Sequence, residues 1–87
     1  MISVVYTNHF LKSAKRLDKK IQNKLAGAII IIQKNPFSPV LHTKHLAGKL
    51  AGFFSFRITR DWRVIFQFTD PFTIKLIDIA DRKDVYR

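Results

Sequence analysis

Residues 56–66 read FRITRDWRVIF, and the way this stretch pairs decides the fold. It carries three arginines and a single aspartate among apolar residues that alternate as in a β-hairpin. With the turn centred on Arg60, Phe54 faces Phe66, Phe56 faces Val64 and Ile58 faces Trp62. One face of the ribbon is then wholly apolar. The other face pairs Ser55 with Ile65 and Arg57 with Arg63. A slip of one residue would mix the two sets, so the centred register is preferred. Like charges directly opposed across a sheet destabilise it. The two guanidiniums share the face away from the main core. There they need either screening by water or a bridging anion, and phosphate or carboxylate accepts their planar donors well.

The rest of the chain supplies a frame for this ribbon. Ile2, Val4 and Tyr6 alternate with polar neighbours and predict a short first strand. Thr7 or Asn8 is placed to cap a helix over about residues 8–16, whose apolar stripe is Phe10, Leu11, Ala14 and Leu17. Asp18 is the N-cap expected for a second helix over about 19–34, with Ile21, Leu25, Ala28, Ile29 and Ile32 at helical spacing. Gly27 weakens that helix by about 1 kcal/mol relative to alanine. Asn35, before Pro36, is pushed out of the α region and ends it. Residues 36–52 hold two prolines and two glycines and predict a loop. Strands follow at about 53–58, 62–68 and 73–80. The expected fold is α+β in the order βααβββ. The last three strands are antiparallel, and both helices cover one face of the sheet.

Composition bounds the function. The chain has 87 residues, enough for one domain spanning 1–87, and 47% of them are hydrophobic. It has no cysteine and no N-terminal signal pattern, so a cytoplasmic location is expected. The longest apolar run, LAGAIIII at 25–32, is shorter than the roughly 20 residues a membrane span requires. Lysine and arginine total 16 against six acids, all aspartate, for a net charge of +10. Such an excess attracts polyanions, and nucleic acid, a ribosome or an acidic protein are the expected partners. Lys12, Lys15, Arg16, Lys19, Lys20 and Lys24 concentrate that charge on the two helices, with Asp18 as sole counter-charge.

The C-terminal strand runs into RKDVYR, and in a meander its end returns towards Arg63. Asp81, Arg82 and Tyr86 are expected on the same face. A carboxylate, several guanidiniums and a phenol beside one another suit RNA cleavage without a metal. The reaction needs a base for the ribose 2′-OH, cations for the phosphate, and an acid for the leaving 5′-oxygen. Tyr86 can alternatively stack on a base. His42 and His45, three apart in the loop, have no matching acid cluster and do not predict a metal site. No cofactor is expected.

HLAGKLAGFFSFRITRDWRVIF (45–66) followed by IDIADRKDVYR (77–87) resembles the RelE/ParE toxin superfamily of toxin–antitoxin modules. The resemblance covers nearly the whole chain. It implies two helices packed on a twisted antiparallel sheet, and a ribosome-dependent endoribonuclease that cuts mRNA and is neutralised by a cognate antitoxin. On this pattern Arg63 matches the arginine that supports the scissile phosphate, and Arg57 falls near a lysine position. Arg82 and Tyr86 match the C-terminal arginine and tyrosine. His45 and Asp61 fall where one histidine-using subgroup carries functional residues. Asp81 stands where many relatives place a histidine, and the glutamate of another subgroup is absent. Arg63, Tyr86, Asp81 and Arg57 are thus the catalytic candidates, and Arg82, His45, Lys44 and Lys49 the substrate-binding ones. The alternatives are a ParE-like inhibitor of DNA gyrase and a non-catalytic RNA- or ribosome-binding relative.

Overall fold

The computed structural model describes residues 1–85. A five-stranded sheet is built from β1 (Ser3–Tyr6), β2 (Lys44–His45), β3 (Phe54–Arg57), β4 (Trp62–Asp70) and β5 (Thr73–Asp81). Three helices, α1 (Asn8–Lys15), α2 (Lys19–Lys34) and α3 (Arg82–Val85), accompany it. The strand order is β1-β5-β4-β3-β2. β1 lies parallel to β5, and the other neighbours are antiparallel.

The expected α+β fold and its βααβββ framework are present. The ribbon adopts the register read from its sequence: Phe54 pairs with Phe66, Ser55 with Ile65, Phe56 with Val64, and Arg57 with Arg63. Three features go beyond that reading. The loop at 36–52 contains the two-residue strand β2 and two 3-10 turns, Pro39–Leu41 and Gly48–Leu50. The last residues of the described chain coil into α3. The first strand joins the sheet at the β5 edge.

Local chemistry explains the helix ends. The Thr7 hydroxyl accepts from the Phe10 N–H and donates to the Leu76 carbonyl, so one side chain caps α1 and fastens it to β5. Asp18 accepts from the Ile21 N–H at 2.9 Å and caps α2. Asn35 is extended, with φ −156°, as the following proline demands.

The apolar face of the ribbon meets both helices. Phe10, Leu25, Ala28 and Ile32 from the helices pack with Phe56, Val64, Phe66, Ile74, Leu76 and Ile79 from the sheet. Each such large side chain contributes about 1.5–3 kcal/mol by leaving water. The opposite face is not bare. Leu46, Ile65 and Val85 form a second, smaller cluster, joined by Leu50, Phe53, Ile77 and Ala80. To reach it the chain reverses at Gly52, whose φ of +92° suits glycine, and the Leu46 N–H then donates to the Phe53 carbonyl. This cluster holds the 44–53 segment and α3 against the arginine-bearing face. Among the described residues no helix is long and apolar enough to cross a membrane.

Candidate functional site

The site grows from the Arg57–Arg63 pair. Both arginines line one pocket of about 250 Å³ together with His42, Lys44 and Arg82. Each base arrives by a different route. Lys44 pairs with Ser55 and so shares the face of Arg57. Arg63 pairs with Ala80, which brings the end of β5 and the following Arg82 alongside. β2 covers only Phe54 and Ser55, so β3 is uncovered where it carries Arg57, and His42 approaches there.

Arg63 is the anchored member. Its side chain is buried, and Nη1 donates to the Thr59, Arg60 and Trp62 carbonyls at 2.7, 3.1 and 3.2 Å. The carbonyl oxygens of the hairpin turn offset part of the repulsion from Arg57 and fix the direction of the fork. This answers the puzzle of two opposed arginines. One is held by its own turn, and the other stands half-buried at the rim.

His42 is the residue that the sequence reading passed over. It ends the Pro39–Leu41 turn in the left-handed conformation, with φ 48° and ψ 44°, and its N–H donates to the Pro39 carbonyl. Histidine is among the few non-glycine residues that tolerate this region, at some cost. The turn is seated by the buried Leu41, and its left-handed exit places the imidazole in the basic pocket. A non-glycine residue just after a proline-led turn was the available signal.

Three expected site residues lie elsewhere. Asp81 pairs with Trp62, one step from the Arg63–Ala80 pair, and strand alternation puts it on the opposite face from Arg63. Its carboxylate accepts from the Lys83 N–H at 2.9 Å and caps α3. It borders a neighbouring cleft with Arg60, Asp61, Arg82 and Lys83. His45 pairs with Phe54 on the apolar face, its ring centroid 4.9 Å from that phenyl ring. Lys49, in the Gly48–Leu50 turn, is exposed and does not line the basic pocket. Tyr86 lies outside the described residues. Asp61 supplies its carbonyl to the Arg82 N–H at 2.8 Å, which ties the hairpin turn to α3.

The helix bases remain as the sequence suggested. Lys12, Lys15, Arg16, Lys19, Lys20 and Lys24 are all exposed. Asp18, the acid among them, is used as a cap.

A family model described as the YoeB-like toxin of bacterial type II toxin–antitoxin systems matches residues 6–84. The chain belongs to this toxin family. Solved structures agree on the fold. YafQ from Escherichia coli superposes with a TM-score of 0.78 at 20% identity, over 100% of both chains. The toxin–antitoxin complex RelBE2 from Mycobacterium tuberculosis gives a TM-score of 0.78 at 22% identity, over 93% of this chain and 98% of the other. The YoeB–YefM toxin–antitoxin complex from Staphylococcus aureus gives 0.74 at 20%, over 92% and 95%. No curated protein matches the sequence. Lys44, Arg57, Arg63 and Arg82 fall within the matched span.

Proposed function

We propose that this toxin is an endoribonuclease that cleaves mRNA on the ribosome, with the scissile phosphodiester held in the basic pocket. The observation that carries the proposal is the convergence of His42, Lys44, Arg57, Arg63 and Arg82 on one small cavity. Five bases around a space of about 250 Å³ make an anion site, and such a donor set repels a divalent cation.

The chemistry follows from the linkage. The ribose 2′-oxygen attacks the adjacent phosphorus, and its proton passes to a base. The bond from phosphorus to the 5′-oxygen breaks, and that oxygen takes up a proton. The products are a 2′,3′-cyclic phosphate and a free 5′-hydroxyl. Charge grows on the non-bridging oxygens in between, where Arg63, Arg57, Arg82 and Lys44 oppose it. Arg63 is fastened by its turn, so its fork requires little reorganisation as that charge develops. His42 is the pocket residue whose type moves protons near neutrality, and it takes the proton-transfer role that the sequence reading gave to Asp81. Tyr86 enters on the family resemblance alone, as a stacking or proton-donating group. His45 and Lys49 are assigned to outer RNA contacts.

The exposed lysines of α1 and α2 suit contact with ribosomal RNA. We also infer a cognate antitoxin, as in the complexes formed by the structural neighbours. Primer extension on cellular mRNA after induction tests the reading. New 5′ ends within translated messages are expected; growth arrest with intact mRNA and inhibited gyrase would overturn it.

A further inference from the structure

A second cavity abuts the basic pocket. It has a volume of about 340 Å³ and is lined by residues of α2, among them Lys24 and Gly27, by Val40 and Leu41, and by His42 and Arg57, which belong to both spaces. Its lining is mostly apolar, and a Cβ added to Gly27 would meet no atom within 4 Å. Val40, between Pro39 and the buried Leu41, lines the groove and is 68% exposed. Lys24 and Arg57 are the charged groups of a lining that is otherwise mostly apolar, and His42 and Arg57 are shared with the basic pocket.

We propose that this groove seats the nucleobase next to the phosphodiester held in the basic pocket. The inference rests on the ribonuclease reading and specifies a base subsite for it. A single-stranded RNA alternates anionic phosphates with flat, largely apolar bases, and the two joined cavities alternate in the same way. The imidazole and guanidinium that separate them are planar groups of the kind on which bases stack. Lys24, in the lining of the same groove, offers a cation for a neighbouring phosphate. The size also favours one nucleoside over a docked helix. A partner helix would need an extended row of contacts, whereas this groove has a volume of only about 340 Å³. Gly27 thus has a use that its cost to α2 would not otherwise explain. A bulky side chain there, such as leucine, would extend into the base subsite.

The test compares two probes of equal charge, a 2′-O-methyl hexauridylate and an abasic hexamer on the same backbone. Both are titrated into the free toxin and its Gly27→Leu variant. The variant's folding is checked by thermal melting; leucine favours the helix over glycine. The wild type is expected to bind the base-bearing probe on the order of tenfold tighter than the abasic one. Gly27→Leu is expected to erase that preference and leave abasic binding unchanged. If a folded Gly27→Leu protein keeps the preference, the groove does not hold a base. A wild type without preference, whose abasic binding still requires Arg57 and Arg63, overturns the base subsite and spares the phosphate pocket. No binding of either probe overturns both. Loss of a co-purifying antitoxin in Gly27→Leu with RNA preference intact would assign the groove to a peptide and overturn the proposal.

Discussion

Arg57 and Arg63 stand directly opposite each other on β3 and β4, and both side chains enter one pocket. The arrangement costs sheet stability and is kept in place by unequal support. Arg63 donates into the carbonyls of its own hairpin turn, while Arg57 sits at an uncovered stretch of strand. An anion bound between them would turn a repulsive pair into a binding site. His42, Lys44 and Arg82 line the same pocket.

Replacing Arg63 removes both the fork and the turn's donor. Arg63→Ala should lose about 1 kcal/mol of stability, because the Thr59 and Arg60 carbonyls lose their partner. Cleavage in a reconstituted translation reaction should fall about 10²–10³-fold. Arg63→Lys should recover part of the stability and little of the rate, since an ammonium cannot hold both carbonyls and phosphate in one plane. Melting curves and cleavage rates measured on the same preparations check the two effects separately.

His42 offers a cleaner separation of fold from chemistry. Its φ of 48° is one that asparagine and glycine adopt readily. His42→Asn and His42→Gly should therefore melt at or above the wild-type temperature. Their cleavage rates should fall by about 10²-fold or more, as expected for loss of a proton-transfer group. A wild-type rate in either variant would remove His42 from the mechanism.

The contrast between His42 and Asp81 shows where the sequence was readable. The ribbon's register could be read because one slip would scramble Phe54, Phe56, Val64 and Phe66 with their polar neighbours. Thr7 and Asp18 announced their helices by residue type and position. Asp81 was harder. Which β5 residues share the face of Arg63 depends on the turn at Pro71 and Phe72 and on two register shifts, between Ile65 and Phe66 and between Phe68 and Asp70. Neither the turn length nor the shifts is written in the apolar pattern. The loop at 36–52 was harder still. Its course is set by Leu41 and Leu46 finding opposite faces of the sheet, so the choice between His42 and His45 is a tertiary matter.

Asp81 should behave as a cap. Asparagine caps nearly as well, so Asp81→Asn should change neither the melting temperature nor the cleavage rate appreciably. Asp81→Ala should lose about 1 kcal/mol by freeing the Lys83 N–H at the start of α3. A large rate loss in Asp81→Asn, measured beside an unchanged melt, would restore the carboxylate to the reaction.

The most direct measurement uses Arg57→Glu. Glutamate opposite Arg63 converts a like-charge pair into an opposite-charge pair, which should stabilise the ribbon by about 0.2–1 kcal/mol. The same change places a carboxylate in the pocket proposed to hold the phosphate. The account predicts a protein that melts at or above the wild-type temperature and cleaves translated mRNA at least about 100-fold more slowly. A folded Arg57→Glu toxin that cleaves at the wild-type rate would contradict it.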